Sequence, residues 1–486
     1  MNPWIRWRDD APQTEPAWRW LADWVGMPAL LATPARPLAE MGEPASHLSE
    51  DLREKFVTVL GAERVKQDLA TRALHASSGI ADCLRVRTGD LSHLPDAVLY
   101  PKSPDDVHTL LKLCAAADIA VAPFGTGSGS GTLPERGAHA ALVSLDLSAL
   151  SHLLLVDTMS GLARVEAGIT ADALARQLAA QGMMLKGQMD GSLGGYIARN
   201  RYIPWLQAAR LVTSQGQIAG GVSFAPGSQG SLGIITTASI RIQALPAKTE
   251  YRRYLFADFA GGLAALREAE RQGLARAGAF LSDAGDTRFH RQMDQIGQRW
   301  TFSGWLGGLY RQIRQFDRHA AALTIGFGGS EAESDVARKR FDALAKRLGA
   351  LAQGVHPPQK SDHRDMLLDR GLAIDRIETT ASWSKLPGVY AAMRSALDRA
   401  MRTGAPREGA HGLVLAQVSD AAHEGAKLRL TMIYPRMLGS DVAQAMTVRE
   451  TALKALAELS GPGEALEDDL KASIRQTLDP KSILAP

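Results

Sequence analysis

The sequence predicts an α+β fold with a sheet region in its first half and a second αβ region in its second half. A strand–helix–strand pattern over residues 97–123 is typical of a βαβ unit. The β-branched and apolar run Ser231–Ile242 continues the sheet, and Pro246 marks a boundary. Beyond it, alternating strand-like and helical patterns predict an antiparallel sheet carrying helices on one face. These patterns lie at Tyr254–Phe259, Leu263–Arg271, Ala321–Phe327 and Glu331–Leu348.

The βαβ unit begins with the apolar strand Ala97–Tyr100 and ends with the strand Ile119–Pro123. Between them, Ser103 supplies a helix N-cap and Pro104 suits the first helical position. Four apolar residues of this helix share one face, namely Val107, Leu110, Leu111 and Cys114. Further elements follow: strands at Leu142–Leu147, Leu153–Asp157 and Arg164–Ala167, and a helix at Ala171–Gln181 capped by Thr170 and closed by Gly182.

Length and composition narrow the class of protein. A chain of 486 residues with 45% hydrophobic and 22% charged residues predicts two or three globular domains. A net charge of +3 gives no support for a nucleic-acid partner. Cys83 and Cys114 are predicted to be reduced, buried thiols, which suits a cytoplasmic protein. We find no signal or membrane-spanning pattern, and no histidine spacing that predicts a metal site.

A glycine-rich loop, Pro123–Gly131, leaves the βαβ unit with glycine at every second position. Without Cβ atoms, successive N–H groups of such a loop can surround a diphosphate, and its serine and threonine hydroxyls add donors. A mobile turn explains the loop equally well at this point. No Lys-Ser/Thr pair closes it, so it is not a P-loop.

The order of several motifs adds a family resemblance. These are Pro101–Val107, the glycine loop, Leu145–Leu147, Val165–Thr170, Gly194-Gly195 and Gly227–Thr236. In this order they resemble the FAD-binding domain of the vanillyl-alcohol-oxidase superfamily, also called the p-cresol-methylhydroxylase type. The resemblance implies bound FAD, with the glycine loop on the diphosphate and the double glycine along the flavin. No histidine lies inside the glycine loop, so the FAD is predicted to be non-covalent. The implied cofactor-binding residues are Pro123, Gly125, Thr126, Gly127, Ser128, Gly129, Ser130, Gly194, Gly195, Gly230 and Ile235.

The second half resembles the alkyldihydroxyacetonephosphate-synthase branch of this superfamily. The blocks Leu281–Arg288, Arg364–Trp383 and Leu478–Leu484 carry that resemblance. It implies a two-subdomain FAD-binding domain plus an antiparallel-sheet α/β cap domain that binds the substrate. The implied organisation is an arm over residues 1–95, the FAD domain over 96–246, the cap over 247–450 and a returning C-terminal helix over 451–486.

Arg364 is the catalytic candidate that the resemblance implies, as the ligand of a substrate phosphate or carboxylate. A structural role is an equal alternative, in which Arg364 pairs with Asp365 or Asp369 on a helix.

Three departures from the branch affect the predicted chemistry. Ala422 stands where the synthases have a tyrosine, and the family's histidine triplet is absent from Leu459–Leu466. The flavin-side loop is shortened to Arg201–Gln207. His423 is the candidate substitute for the tyrosine, although an exposed loop residue beside Glu424 is the favoured interpretation. His411 is predicted to be a packed core histidine.

These motifs together predict an FAD-linked protein that acts on or binds a lipid-like or phosphate- or carboxylate-bearing small molecule. Both oxidation by hydride transfer and a non-redox exchange of an acyl for an alkyl group, as in ether-lipid synthesis, stay open. The alternative is a scaffold that has lost catalysis and binds a lipid or a partner protein. A homodimer and a heterodimer stay open. The aromatic and basic segment Arg299–Arg318 is either a peripheral membrane contact or an ordinary helix pair with a solvated basic face.

Overall fold

The computed structural model describes residues 15–76, 79–127, 133, 136–219, 225–294, 319–356, 363–459 and 462–484. These residues form two compact units. Unit 1 contains residues 34–245 and 462–484, and unit 2 contains residues 15–33 and 246–459. Residues 15–33 and 34–95 therefore belong to different units.

Elements are numbered in chain order across both units. The helices are α1 (Glu15–Trp24), α2 (Glu50–Leu60), α3 (Leu69–His75), α4 (Ile80–Thr88), α5 (Pro104–Ala116), α6 (Ala171–Ala179), α7 (Leu193–Arg199), α8 (Phe259–Arg271), α9 (Ala284–Asp294), α10 (Glu331–Arg347), α11 (Arg364–Asp369), α12 (Leu386–Thr403), α13 (Asp441–Leu459) and α14 (Pro462–Leu478). The strands are β1 (Val65–Lys66), β2 (Ala97–Leu99), β3 (Ile119–Phe124), β4 (Ala141–Asp146), β5 (Leu153–Asp157), β6 (Leu162–Glu166), β7 (Met183–Leu185), β8 (Leu206–Val212), β9 (Gln217–Ala219), β10 (Ile234–Ala244), β11 (Lys248–Phe256), β12 (Ala279–Ser282), β13 (Ala321–Gly329), β14 (Leu351–Val355), β15 (Leu372–Ser382), β16 (Leu413–Ser419) and β17 (Gly425–Pro435).

The first sheet of unit 1 contains the predicted βαβ unit. Its strand order is β1-β2-β4-β3, and β4 pairs in parallel with both β2 and β3. Helix α5 begins as predicted, because the Ser103 hydroxyl accepts the N–H of Asp106 at 3.1 Å and Pro104 occupies the first turn. All four residues of its predicted apolar face are buried in the core of this sheet.

The C-terminal residues complete the same sheet core. The N–H of Val121 on β3 donates to the carbonyl of Ile483 at 2.7 Å. Ile483 and Leu484 are buried in the cluster that contains the α5 side chains. A segment at the end of the chain therefore covers the edge of the strand that leads into the glycine loop.

The second sheet of unit 1 is antiparallel and has its own core. Its strands run β5-β6-β10-β8-β9, and β7 pairs with β10. Strand β10 is the predicted β-branched run, and it pairs with β6, β7 and β8. Side chains from β10, α6 and α7 pack in one cluster around Tyr196, which stacks on Trp205 at 5.5 Å. The two sheets give unit 1 a two-part architecture.

Unit 2 is built on a seven-stranded antiparallel sheet with the order β14-β11-β13-β12-β16-β17-β15. Paired residues share a face, which separates its side chains into two sets. On one face, Leu281 and Ala321 approach α8, and Tyr254 packs on Phe341 of α10. On the other, Leu413 and its neighbours pack with α1, α9 and α11.

The predicted α+β class, with an antiparallel sheet in the second half, is confirmed. The expectation that helices lie on one face of this sheet is wrong, because α1, α9 and α11 cover part of the opposite face. Cys83 and Cys114 are buried and unbridged, as predicted. Among the described residues, no helix is long and apolar enough to cross a membrane, and no group of three or more His, Cys, Asp or Glu side chains could hold a metal ion.

Candidate functional site

The glycine turn at the end of β3 is the first part of the candidate cofactor site. It consists of Gly125, Thr126 and Gly127, and Gly127 has a φ of +65°. A Cβ on Gly125 would lie 2.1 Å from Ser192 Oγ, so no larger residue fits there without movement. Ser128, Gly129 and Ser130 lie outside the described residues.

The double glycine lies beside this turn, at the start of α7. Ser192 is the N-cap of α7 and accepts the N–H of Gly195 at 3.4 Å. A Cβ on Gly195 would lie 2.9 Å from the same hydroxyl. Gly194 instead faces the second sheet: its N–H donates to Ala167 O at 2.7 Å, and its Cβ would lie 3.0 Å from Ala167 Cβ. Gly195 therefore allows a close approach of the Ser192 hydroxyl, and Gly194 allows a close approach of Ala167.

Gly230 and Pro123 bring the third motif to the same place. Gly230 has a φ of +85°, which favours glycine, and a Cβ there would lie 2.9 Å from Pro123 Cγ. Ile235 is 4% exposed and its side chain packs in the core of the second sheet. The structure thus brings Gly125 and Gly195 against Ser192 and Gly230 against Pro123, and it puts the Ile235 side chain in the core.

Ser192 was not singled out in the sequence analysis, although it approaches two of the candidate glycines. A serine three residues before Gly195 is an N-cap signal that could have identified it. A cradle from which Cβ atoms are excluded lets backbone N–H groups approach a ligand closely, and hydroxyl and N–H donors suit a diphosphate. The described part of this cluster therefore fits the FAD diphosphate that the resemblance implies.

The shortened loop after Asn200 is filled by an aromatic side chain. Trp205 is 3% exposed, and a Cβ on Gly187 would lie 2.0 Å from its ring. Arg201 forms an ion pair at 2.9 Å with Asp468 of α14, and Lys471 of that helix donates to the carbonyl of Pro226 at 3.0 Å. Helix α14 therefore holds the turn that precedes Gly230.

The substrate candidates lie in unit 2. Arg364 is the first residue of α11, a six-residue helix that packs on β15, and its side chain is half-buried. His363 and Asp365 on either side of it are buried. Residues 357–362, immediately before them, lie outside the described residues.

Ala422 and His423 lie in the hairpin between β16 and β17. The N–H of Ala422 donates to Gly425 O at 2.8 Å, and the indole Nε1 of Trp383 donates to Ala422 O at 2.9 Å. Ala422 is 9% exposed, whereas the side chains of His423 and Glu424 are exposed. Ala422 is therefore buried and held by backbone and indole hydrogen bonds, whereas His423 is exposed to solvent.

The sheet face opposite α8 and α10 is polar where α1, α9 and α11 do not cover it. The cross-strand register puts Gln417, Arg429 and Glu378 side by side, and Arg429 Nε donates to Glu378 Oε1 at 2.5 Å. Such a face can bind a polar small molecule through charged and amide groups.

A buried acidic group lies on the other side of β12 and β16. Asp283 accepts the Tyr390 hydroxyl at 3.0 Å and the Arg394 guanidinium at 2.5 Å. Burial raises the pKa of the Asp283 carboxyl, against the N–H of Asp286 and the charge of Arg394. Burial and the Asp283 charge also raise the pKa of the Tyr390 phenol. The three groups form a structural network between α12 and the sheet.

His411 differs from its predicted place in the core. It lies in the loop before β16, is partly exposed, and its Nδ1 is 3.2 Å from Gly409 O. With Trp24 and Arg394 it lines an open cleft of about 400 Å³. The apolar run that follows starts at Leu413, so the sequence pattern was assigned two residues too early.

Comparison with known proteins identifies the type of domain. A family model described as an FAD-binding domain matches residues 95–219. The chain is 25% identical over 500 residues to an alkyldihydroxyacetonephosphate synthase of Dictyostelium discoideum, covering 91% of this chain and 81% of that protein. It is 26% identical over 345 residues to the Trypanosoma brucei brucei synthase, covering 65% of this chain and 56% of that protein.

Two solved structures show the same fold. One is an alkyldihydroxyacetonephosphate synthase, with a TM-score of 0.77, 23% identity, and coverage of 96% of this chain and 91% of that one. The other is p-cresol methylhydroxylase with substrate bound, with a TM-score of 0.63, 14% identity, and coverage of 90% and 97%. The chain therefore carries an FAD-binding domain, shares the fold of p-cresol methylhydroxylase, and is similar in sequence and fold to alkyldihydroxyacetonephosphate synthases.

Proposed function

We propose that this protein is an FAD-dependent enzyme that acts on a small, lipid-like molecule carrying a phosphate or carboxylate. The observation that carries the proposal is the close approach of Gly125 and Gly195 to Ser192, with Gly230 against Pro123 at the end of the same strand β3. This arrangement leaves backbone and hydroxyl donors beside the glycine turn. We infer that these residues, with Thr126, Gly127 and the loop beyond them, hold the diphosphate of FAD. When bound, the flavin supplies a two-electron acceptor or a nucleophilic ring nitrogen.

The anionic substrate is inferred from Arg364 and from the similar proteins. The synthases that the chain resembles carry dihydroxyacetone phosphate in their name, and a guanidinium binds phosphate or carboxylate by paired hydrogen bonds. Arg364 is half-buried at the start of α11, where burial strengthens a charge-assisted hydrogen bond. In this proposal Arg364 binds and orients the anionic group.

The synthase reaction itself is proposed to be slow in this protein. Each well-placed general acid or base contributes a factor of about 10²–10⁴ in rate. Ala422 has no titratable group, and the exposed His423 side chain lies at the hairpin tip. We therefore propose binding of a synthase-like ligand with low synthase turnover.

A second candidate function is a flavin-domain scaffold that binds a lipid or a partner protein. The Trp383 indole hydrogen bond to Ala422 O favours it, because this contact fixes a hairpin that presents no acid or base at position 422. A scaffold needs the fold and the ligand contacts but no reacting group.

The flavin content and flavin spectrum of the purified protein distinguish these functions. We expect bound FAD, and a change in its absorption spectrum when dihydroxyacetone phosphate or a long-chain acyl ester of it is added. Reduction of the flavin by an added alcohol or amine would support the oxidation chemistry. Protein without FAD, or FAD whose spectrum responds to none of these ligands, would contradict the enzyme proposal and favour the scaffold.

A further inference from the structure

A buried histidine lies directly beneath the glycine turn. His75 is the last residue of α3 and is 1% exposed. Its Nε2 is 2.8 Å from Asp146 Oδ2, and its Nδ1 is 2.8 Å from the carbonyl oxygen of Thr71. Asp146 is itself buried, at 6% exposed, and its other oxygen accepts the N–H of Ser148 at 2.8 Å. Both ring nitrogens of His75 therefore face acceptors.

The hydrogen-bond chemistry of imidazole constrains its protonation. A neutral ring has one N–H donor and one acceptor nitrogen, whereas an imidazolium has two donors. A neutral ring would bring one nitrogen lone pair to 2.8 Å from a carbonyl or a carboxylate oxygen, which is unfavourable in a buried place. Both contacts are hydrogen bonds when each ring nitrogen carries a proton.

The same pair contacts the residue that precedes the glycine turn. The His75 ring lies against the Phe124 ring at 4.1 Å between centroids, and Phe124 is the residue before Gly125. Phe124 and Asp146 are register partners at the ends of the parallel strands β3 and β4. The Phe124 carbonyl accepts the N–H of Leu147 at 3.1 Å. His75 thus contacts the last residue of β3, which leads into the turn, and the last residue of its neighbour β4.

A second aromatic ring also contacts His75, and an arginine lies on the same helix. The Tyr100 ring lies edge-on to it at 6.0 Å, from the loop after β2. On the same helix, Arg72 directs its guanidinium away, to the carbonyls of Pro95 and Pro44 at 2.8 and 3.0 Å. Asp146 is the carboxylate that contacts the His75 ring directly.

We propose that His75 is a doubly protonated, buried positioning residue whose ion pair with Asp146 fixes the glycine turn for the FAD diphosphate. The effect on FAD rests on the proposed position of the diphosphate at this turn, whereas the protonation state of His75 does not. His75 touches neither cofactor nor substrate in this scheme. It acts through Phe124 and Asp146 on the backbone of Gly125.

The protonation state can be measured without FAD. Selective ¹⁵N labelling of the 12 histidines gives ring nitrogen spectra that distinguish imidazolium from neutral imidazole. We expect one histidine with two slowly exchanging ring N–H protons, with nuclear Overhauser contacts to the Phe124 ring, and lost in His75→Gln. A His75 signal with a single ring proton at neutral pH overturns the proposal, and the Phe124 contacts assign the signal even if the variant does not fold.

The effect on the cofactor is measured by FAD affinity together with the melting temperature of the FAD-free protein. His75→Gln and Asp146→Asn should each weaken FAD binding about tenfold or more, and the double variant should be no worse than either single variant. His139→Gln is the matched control, because His139 pairs with Asp118 at 2.9 Å near the surface of the same unit. We expect this control to bind FAD normally.

The outcomes separate this inference from the proposed function. Wild-type protein that binds no FAD contradicts the proposed function but leaves the nitrogen spectra as a test of His75. Wild-type and His75→Gln proteins that bind FAD equally well contradict the positioning role. Additive losses in the double variant contradict the ion pair as the cause.

Discussion

Gly125 and Ser192 approach each other so closely that a Cβ on Gly125 would lie 2.1 Å from the Ser192 hydroxyl oxygen and 3.1 Å from its Cβ. The two residues are far apart in sequence: Gly125 follows a strand of the first sheet of unit 1, and Ser192 caps a helix that packs in the core of the second sheet. Their contact joins the end of β3 to the start of α7. Among Gly125, Gly195 and Gly230, an added Cβ would therefore make its closest contact at Gly125.

Gly125→Ala is expected to weaken FAD binding by about tenfold or more, because the new methyl group must displace Ser192 and the backbone beside it. The measurement is the FAD dissociation constant of the apoprotein, followed by flavin fluorescence. Gly42→Ala in the same unit is the control, since a Cβ at Gly42 would meet no atom within 4 Å. Equal affinity in both variants would place the cofactor elsewhere.

Arg364→Gln is expected to raise the dissociation constant of dihydroxyacetone phosphate by about 10-fold to 100-fold, because a charge-assisted hydrogen bond is lost. FAD content should not change. Arg364→Lys should retain part of the affinity, and Arg402→Gln should retain all of it, since Arg402 pairs with Asp398 on the surface of α12. Unchanged ligand binding in Arg364→Gln would favour a structural role for this arginine.

Synthase turnover is expected to be less than about one tenth of that of an active synthase, a barrier difference of at least about 1.4 kcal/mol. The physical reason is the absence of a titratable side chain at Ala422 and of the histidine triplet before the last helix. FAD-loaded protein is incubated with an acyl-dihydroxyacetonephosphate and a long-chain alcohol, and the alkyl product is measured. Turnover within tenfold of the reference enzyme would mean that other groups supply the acid and base.

The segment Arg299–Arg318 lies outside the described residues and stays a prediction from the sequence. If it is an interfacial segment, the protein will sediment with anionic vesicles at low salt, and added salt will release it. Trp305→Ser and Leu309→Ser should reduce the bound fraction. Protein that stays in the supernatant, or variants that bind as well as the wild type, would indicate an ordinary solvated surface.

Cys114 is expected to resist thiol reagents at pH 8 in the folded protein. Burial raises the pKa of its thiol to about 12, so the reactive thiolate is scarce and also inaccessible. Cys83→Ser protein should therefore react slowly when native and completely in denaturant, as measured with a chromogenic disulfide. Rapid native reaction would show that α5 opens frequently.

Local signals predicted much of unit 1. Ser103, Pro104 and the four apolar residues after them sufficed to predict α5, because capping and helical periodicity act within a few residues. Strand β10 could also be predicted locally, because β-branched residues are concentrated in its sequence.

Long-range contacts explain what was missed. No local pattern indicates that Ser192 would meet Gly125 or that His75 would meet Asp146, since both contacts depend on how distant strands and helices pack. Helix α1 was interpreted as part of an arm, but Trp18 and Leu21 pack on the sheet of unit 2. His411 is predicted to lie in the core because an apolar run follows it, but the sequence does not show that the strand begins only at Leu413.

The pairing of Val121 with Ile483 has a consequence for synthesis of the protein. A ribosome makes β3 early and the segment around Ile483 only after all of unit 2, so the nascent chain exposes one edge of this strand throughout that interval. Exposed strand edges promote aggregation. Because Ile483 follows unit 2 in the sequence, this edge of β3 is covered only after unit 2 has been translated.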